Sequence, residues 1–314
     1  MIHARGLTRH FRVKKETVAA VNGLDLDVEE GELVAFLGPN GAGKSTSLRL
    51  LTTLLPPTAG TATVAGYDIR AEPAAARERI GYIGQGKSSG DYFRVADELF
   101  SQGRCYGLSR AEARNRAGEL LAMLDLEALA KRYANTLSGG QRRRLDIALG
   151  LIHRPKLLFM DEPSAGLDPQ NRANLWEHIL RLRQEYGTTI FLTTHYLDEA
   201  DAMAERVLVI DHGRVIADDT AANLKANLAG DLINVVVDEP ARAAELAPPA
   251  KEVLVDGDLV TVRLAGQATA ALPKYLRELY RDGITVRSAD LRRPTLDDVF
   301  LGLTGRTLRE SDAA

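Results

Sequence analysis

The stretch Leu33-Val34-Ala35-Phe36-Leu37-Gly38-Pro39-Asn40-Gly41-Ala42-Gly43-Lys44-Ser45-Thr46 decides the fold. Five apolar residues in a row are too few for a helix and suit a buried strand. Gly38 to Gly43 then break the chain, and Leu48, Leu51, Leu54 and Leu55 resume at helical spacing. Strand, glycine-rich turn and helix, in that order, are the setting required by the phosphate-binding pattern Gly-x-x-x-x-Gly-Lys-Ser/Thr. The glycines of Gly38 to Thr46 let backbone N–H groups close around a phosphate, and the helix start adds its positive end. Lys44 is placed to neutralise the β- and γ-phosphates, and Ser45 offers a hydroxyl to Mg²⁺.

The same grammar recurs along the chain. Leu157 to Met160 is a short apolar run that opens into Asp161-Glu162-Pro163, and Thr189 to Thr193 opens into Thr194-His195. Helices punctuate the intervals. Asp168-Pro169 places an N-cap before a proline at the first helical position, and Gly187 closes that helix. Ser109 with Glu112 spells a capping box, and the interval Asp97 to Lys131 is helical throughout. Strands alternating with helices predict an α/β fold, a mostly parallel sheet covered on both faces, with a helical insertion over about 97–155. After Lys225 the texture changes to period-two segments, Leu232 to Val237, Glu252 to Val255, Leu259 to Leu264 and Ile284 to Ser288, with a helix near Leu272 to Tyr280. These predict a large domain over 1–226 and a small α+β extension over 227–314, its polar end from Arg306 frayed.

Bulk properties narrow the classes. With 40 basic and 43 acidic residues the net charge is -3, so no global field directs the chain to nucleic acid or anionic lipid. The single cysteine, Cys105, excludes an internal disulfide and a cysteine-based zinc cluster, and reads as a small buried apolar side chain. Met1 to Arg12 lacks the apolar core of a secretory signal, and no run approaches the ~18 apolar residues of a membrane-spanning helix. The expectation is a cytoplasmic chain whose membrane contact runs through a partner.

Leu137-Ser138-Gly139-Gly140-Gln141 is a second glycine-containing turn at a helix start, with Ser138 as the cap and Pro155 ending the helix at about His153. It matches the Leu-Ser-Gly-Gly-Gln signature, and with the phosphate loop the chain resembles the ATP-binding subunits of ABC transporters over about Met1 to Lys225. That resemblance implies an ATPase of the P-loop fold, in which Ser138, Gly139, Gly140 and Gln141 face the γ-phosphate held by a second copy. It also implies roles for residues in the family's order. Leu157 to Glu162 is similar to the Walker B strand, with Asp161 linked to Mg²⁺ and Glu162 the catalytic glutamate that polarises the attacking water. Gln85 matches the Q-loop glutamine, although Gly84 stands where proline is frequent. Ser164 to Asp168 resembles the D-loop, with Asp168 reaching across the dimer, and His195 matches the switch histidine. His3, His10, His153, His178 and His212 read as structural.

Phe11 stands where the family places an aromatic on the adenine, an interaction worth about 1–3 kcal/mol in other base-binding proteins; the residue type alone leaves it open between that role and ordinary packing. The segment Arg293-Pro294-Thr295-Leu296-Asp297-Asp298-Val299-Phe300-Leu301 with Thr304-Gly305-Arg306 resembles the C-terminal extension of daunorubicin-resistance-type ATPases, although it also reads as a helix start with acids in its first turn. The resemblance implies two copies of the chain working with two separately encoded transmembrane permease subunits, at the cytoplasmic face of the membrane. Their helices would dock near the Q-loop, around Lys87 to Phe93. A soluble ABC protein acting on DNA or ribosomes would carry a long coiled coil or two cassettes in one chain, and neither is present. An importer differs in needing an external binding protein. Cargo, whether drug, lipid or glycan, is set by the permease and lies outside this chain.

Overall fold

The computed structural model describes residues 1–304 except 15, 87 and 265–267; Lys87 of the expected docking segment, Gly305, Arg306 and the tail beyond lie outside the described residues. The chain forms two compact units, one from Met1 to Asp218 and one from Asp219 onward.

In chain order the first unit carries β1 (Ile2–Val13), β2 (Glu16–Val28), β3 (Leu33–Leu37), α1 (Lys44–Leu51), β4 (Ala59–Val64), β5 (Tyr67–Asp68), α2 (Pro73–Arg79) and β6 (Ile80–Ile83). There follow α3 (Val95–Cys105), α4 (Arg110–Met123), α5 (Gly139–Leu151), β7 (Leu157–Asp161), α6 (Pro169–Tyr186), β8 (Thr189–Thr194), α7 (Leu197–Met203), β9 (Arg206–Asp211) and β10 (Arg214–Asp219). One sheet has the order β10-β9-β3-β8-β7-β6, and the pairs β9–β3, β3–β8, β8–β7 and β7–β6 are parallel. Every residue of β3, β7 and β8 is buried, which explains why these strands read as unbroken apolar runs rather than alternating ones. Their register pairs Leu37 with Thr194 and Asp161 with Thr193, so the carboxyl ends of three neighbouring strands finish at one edge. In open α/β sheets ligands bind outside that edge.

A second sheet, β2-β1-β4-β5, is antiparallel. The sequence does not announce it, because β1 shifts register between Ala4 and Leu7 and again on either side of Arg9, which breaks the alternation of apolar and polar residues. Its inner face, including Ile2, Leu7, Val21 and Leu24, joins Val34 and Phe36 of β3 in one core. In the helical part, α4 opens on the expected capping box of Ser109 and Glu112. Cys105 is exposed, which corrects the expectation of burial: it is the last residue of α3, a helix whose buried positions are Val95, Leu99 and Gly103.

The second unit begins with α8 (Ala221–Leu224) and a π-helical turn, Lys225–Ala229, followed by β11 (Asp231–Val237), α9 (Pro240–Glu245), β12 (Glu252–Asp256), β13 (Leu259–Leu264), α10 (Ala268–Arg281), β14 (Val286–Arg292) and α11 (Leu296–Thr304). Its strands form an antiparallel sheet, β12-β13-β11-β14. Alternate residues Ile233, Val235, Val237, Val260, Val262 and Leu264 fill a separate core against Tyr275 and Leu279 of α10. The Tyr275 hydroxyl donates to the Ala243 carbonyl at 2.6 Å, and burial pushes its pKa up to about 12. Ile284 is buried but precedes the strand, which starts at Val286 instead.

Candidate functional site

The turn after β3 is shaped by close backbone approach. A Cβ on Gly38 would lie 2.4 Å from the Ile210 carbonyl oxygen, and one on Gly43 would lie 2.3 Å from that of Ala20. Gly43 also adopts φ 106° and Gly41 φ 80°, left-handed conformations that favour glycine. Ala42 is buried, while Pro39, Asn40, Gly41, Gly43, Lys44, Ser45 and Thr46 line a cleft of about 250 Å³ together with Gln85 and Glu162. Lys44 is 4% exposed; its Nζ donates to the carbonyls of Gly38 (2.6 Å) and Pro39 (3.1 Å) and lies 3.5 Å from Glu162 Oε1.

The ends of β6, β7 and β8 supply the opposite wall. Ser45 Oγ donates to Asp161 Oδ1 at 3.0 Å, and Gln85 Nε2 stands 3.4 Å from Ser45 Oγ. His195 Nδ1 lies 3.2 Å from Glu162 Oε2. Six residues that sequence alone scatters from 44 to 195 thus share one small volume, with a buried ammonium and two carboxylates facing the glycine turn. Oxygen donors from Ser45, Asp161 and Gln85 suit a hard cation such as Mg²⁺, and the cation-lined cradle suits a polyphosphate.

Two residues at this site escaped sequence reasoning. Thr193, fully buried, donates its hydroxyl to Asp161 Oδ1 at 2.7 Å and accepts from the Glu162 N–H at 3.0 Å. That N–H also donates to the Thr193 carbonyl at 3.2 Å, so the hydroxyl and the carbonyl together pin Glu162 at φ 47°, an uncommon conformation for a non-glycine residue. Arg143 of α5 donates to the carbonyls of Gly84 and Pro163, both at 2.7 Å. A threonine after an apolar run carries no distinctive signal, and Arg143 sits in a run of three arginines that reads as a solvated face.

The remaining expected residues stand apart from the cleft within this chain. Ser138 caps α5 in a capping box with Gln141: the Gln141 N–H donates to Ser138 Oγ at 3.3 Å, and the Ser138 N–H to Gln141 Oε1 at 3.0 Å. Gly139 lines a neighbouring cleft of about 180 Å³ that Gln85 and Glu162 also reach. Gly140 lies against Asn171, whose Oδ1 would be 2.5 Å from an added Cβ. Asp168 caps α6 by accepting from the Asn171 N–H at 2.9 Å, and these bonds hold its carboxyl below the usual carboxylate range. Phe11 lies on β1 opposite Val18 with the Arg9 guanidinium over its ring at 4.8 Å; it does not line the cleft, which Ala20 of β2 reaches.

Behind the switch segment a buried carboxylate, Glu199, accepts from Thr194 Oγ1 at 3.2 Å and pairs with Arg172 Nε at 3.4 Å. Burial pushes its pKa up, against the Thr194 hydrogen bond and the nearby Arg172 charge. Among the described residues no helix is long and apolar enough to cross a membrane.

Comparison with known proteins places this geometry. A family model described as ABC transporter matches residues 21–165, and one described as ATP-binding protein DrrA1-3-like, C-terminal domain, matches 220–304. The chain is similar to the daunorubicin/doxorubicin resistance ATP-binding protein DrrA of Streptomyces peucetius, at 44% identity over 91% of this chain and 88% of that one. It is also similar to the linearmycin resistance ATP-binding protein LnrL of Bacillus subtilis, 36% identical over 99% and 100% of the two chains. The Nod factor export ATP-binding protein I of Paraburkholderia xenovorans is 38% identical over 92% and 93%. Among solved structures, a dimeric ATP-binding cassette in a post-hydrolysis state bound to ADP and Pi superposes with TM-score 0.65 at 28% identity, covering 70% of this chain and 98% of that one. The fold is therefore that of ABC ATPase cassettes, and the chain belongs to the ATP-binding, ATP-hydrolysing subunits of ABC transporters, in the branch of the daunorubicin-resistance ATPases.

Proposed function

We propose that this chain powers efflux of a drug or other hydrophobic compound through a separately encoded transmembrane permease, as one of two copies in a two-plus-two assembly at the cytoplasmic face of the membrane. The observation that carries the reading is that Lys44, Ser45, Gln85 and Glu162 line one cleft beside a glycine cradle, with Asp161 held against Ser45 and His195 against Glu162. Resistance names among relatives that match nearly the whole length support drug-like cargo. The Nod factor relative favours a second reading, export of a lipid or glycan.

In the proposed reaction Gly38 to Thr46 wrap the phosphates of ATP and Lys44 neutralises their charge. Ser45, Asp161 and Gln85 would hold Mg²⁺, which would supply charge screening to the phosphates. Glu162 orients and deprotonates the attacking water, and His195 steadies the γ-phosphate beside it. Phe11 supports the adenine. Ser138, Gly139, Gly140 and Gln141 of the second copy close on the same γ-phosphate, with Asp168 crossing the interface, so that ATP joins the two copies and hydrolysis releases them. The domain over 1–226 does this chemistry.

Cysteines placed at position 40, on the exposed part of the phosphate loop, and at position 138 in differently tagged copies of Glu162→Gln/Cys105→Ser chains test the assembly. Crosslinking between copies that depends on a non-hydrolysable ATP analogue is expected, and its absence overturns the shared site. Efflux of a panel of hydrophobic antibiotics by cells expressing the chain with its permease tests the cargo, and retention of every drug alongside transport of a lipid or glycan would select the second reading.

A further inference from the structure

Arg143 is a buried cation, 8% exposed, on the first turns of the helix that Ser138 caps. Its guanidinium is spent on main-chain carbonyls of two other segments. Nε donates to Pro163 O at 2.7 Å and Nη1 to Gly84 O at 2.7 Å, while Nη2 reaches Asp161 O at 3.3 Å and Glu162 O at 3.4 Å. Gly84 immediately precedes Gln85, and 161–163 is the turn that presents Glu162. One planar fork therefore bridges the strand ends of β6 and β7 from a third element, α5. Lysine cannot copy this, because a single ammonium has no fixed fork to span carbonyls on separate segments.

The Glu162 turn needs such a brace. Its residue sits at φ 47°, held on one side by the N–H bonds to Thr193 O (3.2 Å) and Thr193 Oγ1 (3.0 Å). On the other side the carbonyls of Asp161, Glu162 and Pro163 all face Arg143. Removing the guanidinium leaves these carbonyls without their shared donor and frees both Glu162 and Gln85 to shift.

We propose that Arg143 is a positioning residue that sets Glu162 and Gln85 together from the signature helix. This rests on the catalytic reading of Glu162 given above. Arg143 does not line the phosphate cleft and reaches its residues through main-chain carbonyls.

The test uses the purified full-length chain as Arg143→Gln, Arg143→Lys, Glu162→Gln and the double variant Arg143→Gln/Glu162→Gln. Thermal melting, the Kd of a fluorescent ATP analogue, KM and kcat are measured for each. For both single Arg143 variants kcat is expected to fall on the order of ten- to hundred-fold, as for a catalytic group displaced by about 1 Å. Kd and KM should stay within about two-fold of wild type, since the phosphate loop is untouched. In the Glu162→Gln background Arg143→Gln should cost little more, because its route to the chemistry is already cut. A wild-type kcat in Arg143→Gln, or its full effect repeated on top of Glu162→Gln, overturns the proposal. Should Arg143→Gln not fold, Arg143→Lys carries the same kcat-against-KM comparison. Wild-type turnover in Glu162→Gln alone marks failure of the underlying catalytic reading, and is distinguishable because it involves no change at Arg143.

Discussion

Thr193→Val removes one oxygen from the floor of the site and keeps the β-branched shape. In the wild type that oxygen donates to Asp161 Oδ1 at 2.7 Å and accepts from the Glu162 N–H at 3.0 Å, at a residue with no solvent exposure. Water cannot replace it. Each loss is partial, since Asp161 Oδ1 keeps the Ser45 hydroxyl at 3.0 Å and the Glu162 N–H keeps the Thr193 carbonyl at 3.2 Å. A hydrogen bond to a charged group contributes about 1.5–3 kcal/mol, and the retained partners place the expected loss near the lower end, about 1.5–2 kcal/mol. For a unit of this size that corresponds to a fall in Tm of roughly 3–8 °C. Activity should fall further than stability predicts, because Asp161 and Glu162 are both loosened: kcat down on the order of ten-fold or more, with a higher Mg²⁺ concentration needed for half-maximal rate. Differential scanning calorimetry and a Mg²⁺ titration of ATP hydrolysis measure these together. A variant with unchanged Tm and a wild-type Mg²⁺ curve would refute the view that Thr193 organises the two carboxylates.

Three further outcomes are expected. Glu162→Gln should lower hydrolysis by about 10²–10⁴-fold while ATP binds at least as tightly, because a carboxylate beside the phosphates is gone; single-turnover rates and binding titrations check both halves. Gly43→Ala should abolish binding of a fluorescent ATP analogue and destabilise the fold, since the left-handed backbone alone costs an alanine roughly 1–2 kcal/mol and the new Cβ would press on the Ala20 carbonyl. Glu199, whose carboxyl is pushed up by burial, favours the protonated form when folded, so its contribution is fullest below the ordinary glutamate range and is lost as pH rises through the raised value. The Tm of Glu199→Gln relative to wild type should therefore improve across that window, and melts showing a pH-independent difference would count against the assignment.

The strands that frame the candidate site are legible because they are buried on both faces: β3, β7 and β8 each form an apolar run ended by a glycine turn, an acid pair or a histidine. Local hydrogen bonding made the helix starts legible, at Ser109, Ser138 and Asp168. The antiparallel sheet was not, since irregular register in β1 scrambles the alternation that would announce it. Thr193 and Arg143 were not, for a different reason. Their importance lies in which strand ends the parallel sheet sets side by side, and no spacing along the chain encodes that. Cys105 was misjudged because composition describes a residue type on average, while exposure depends on its place at the end of α3.

The pairing of Lys44 with Glu162 makes binding and activation a single event in the proposed reaction. Both groups are nearly buried, 4% and 11% exposed, and their charges stand 3.5 Å apart. A triphosphate drawing Lys44 onto its oxygens takes away the cation nearest Glu162 and sets negative charge beside the carboxylate. The carboxylate released from Lys44 is then free to accept a hydrogen bond from the water placed against the γ-phosphate. His195, 3.2 Å from the other Glu162 oxygen, adds its contact to the γ-phosphate in the same step. His195→Ala should therefore slow hydrolysis more than it weakens binding, whereas Lys44→Ala should remove binding outright; equal losses of ATP affinity in the two variants would refute Lys44 as the principal phosphate anchor.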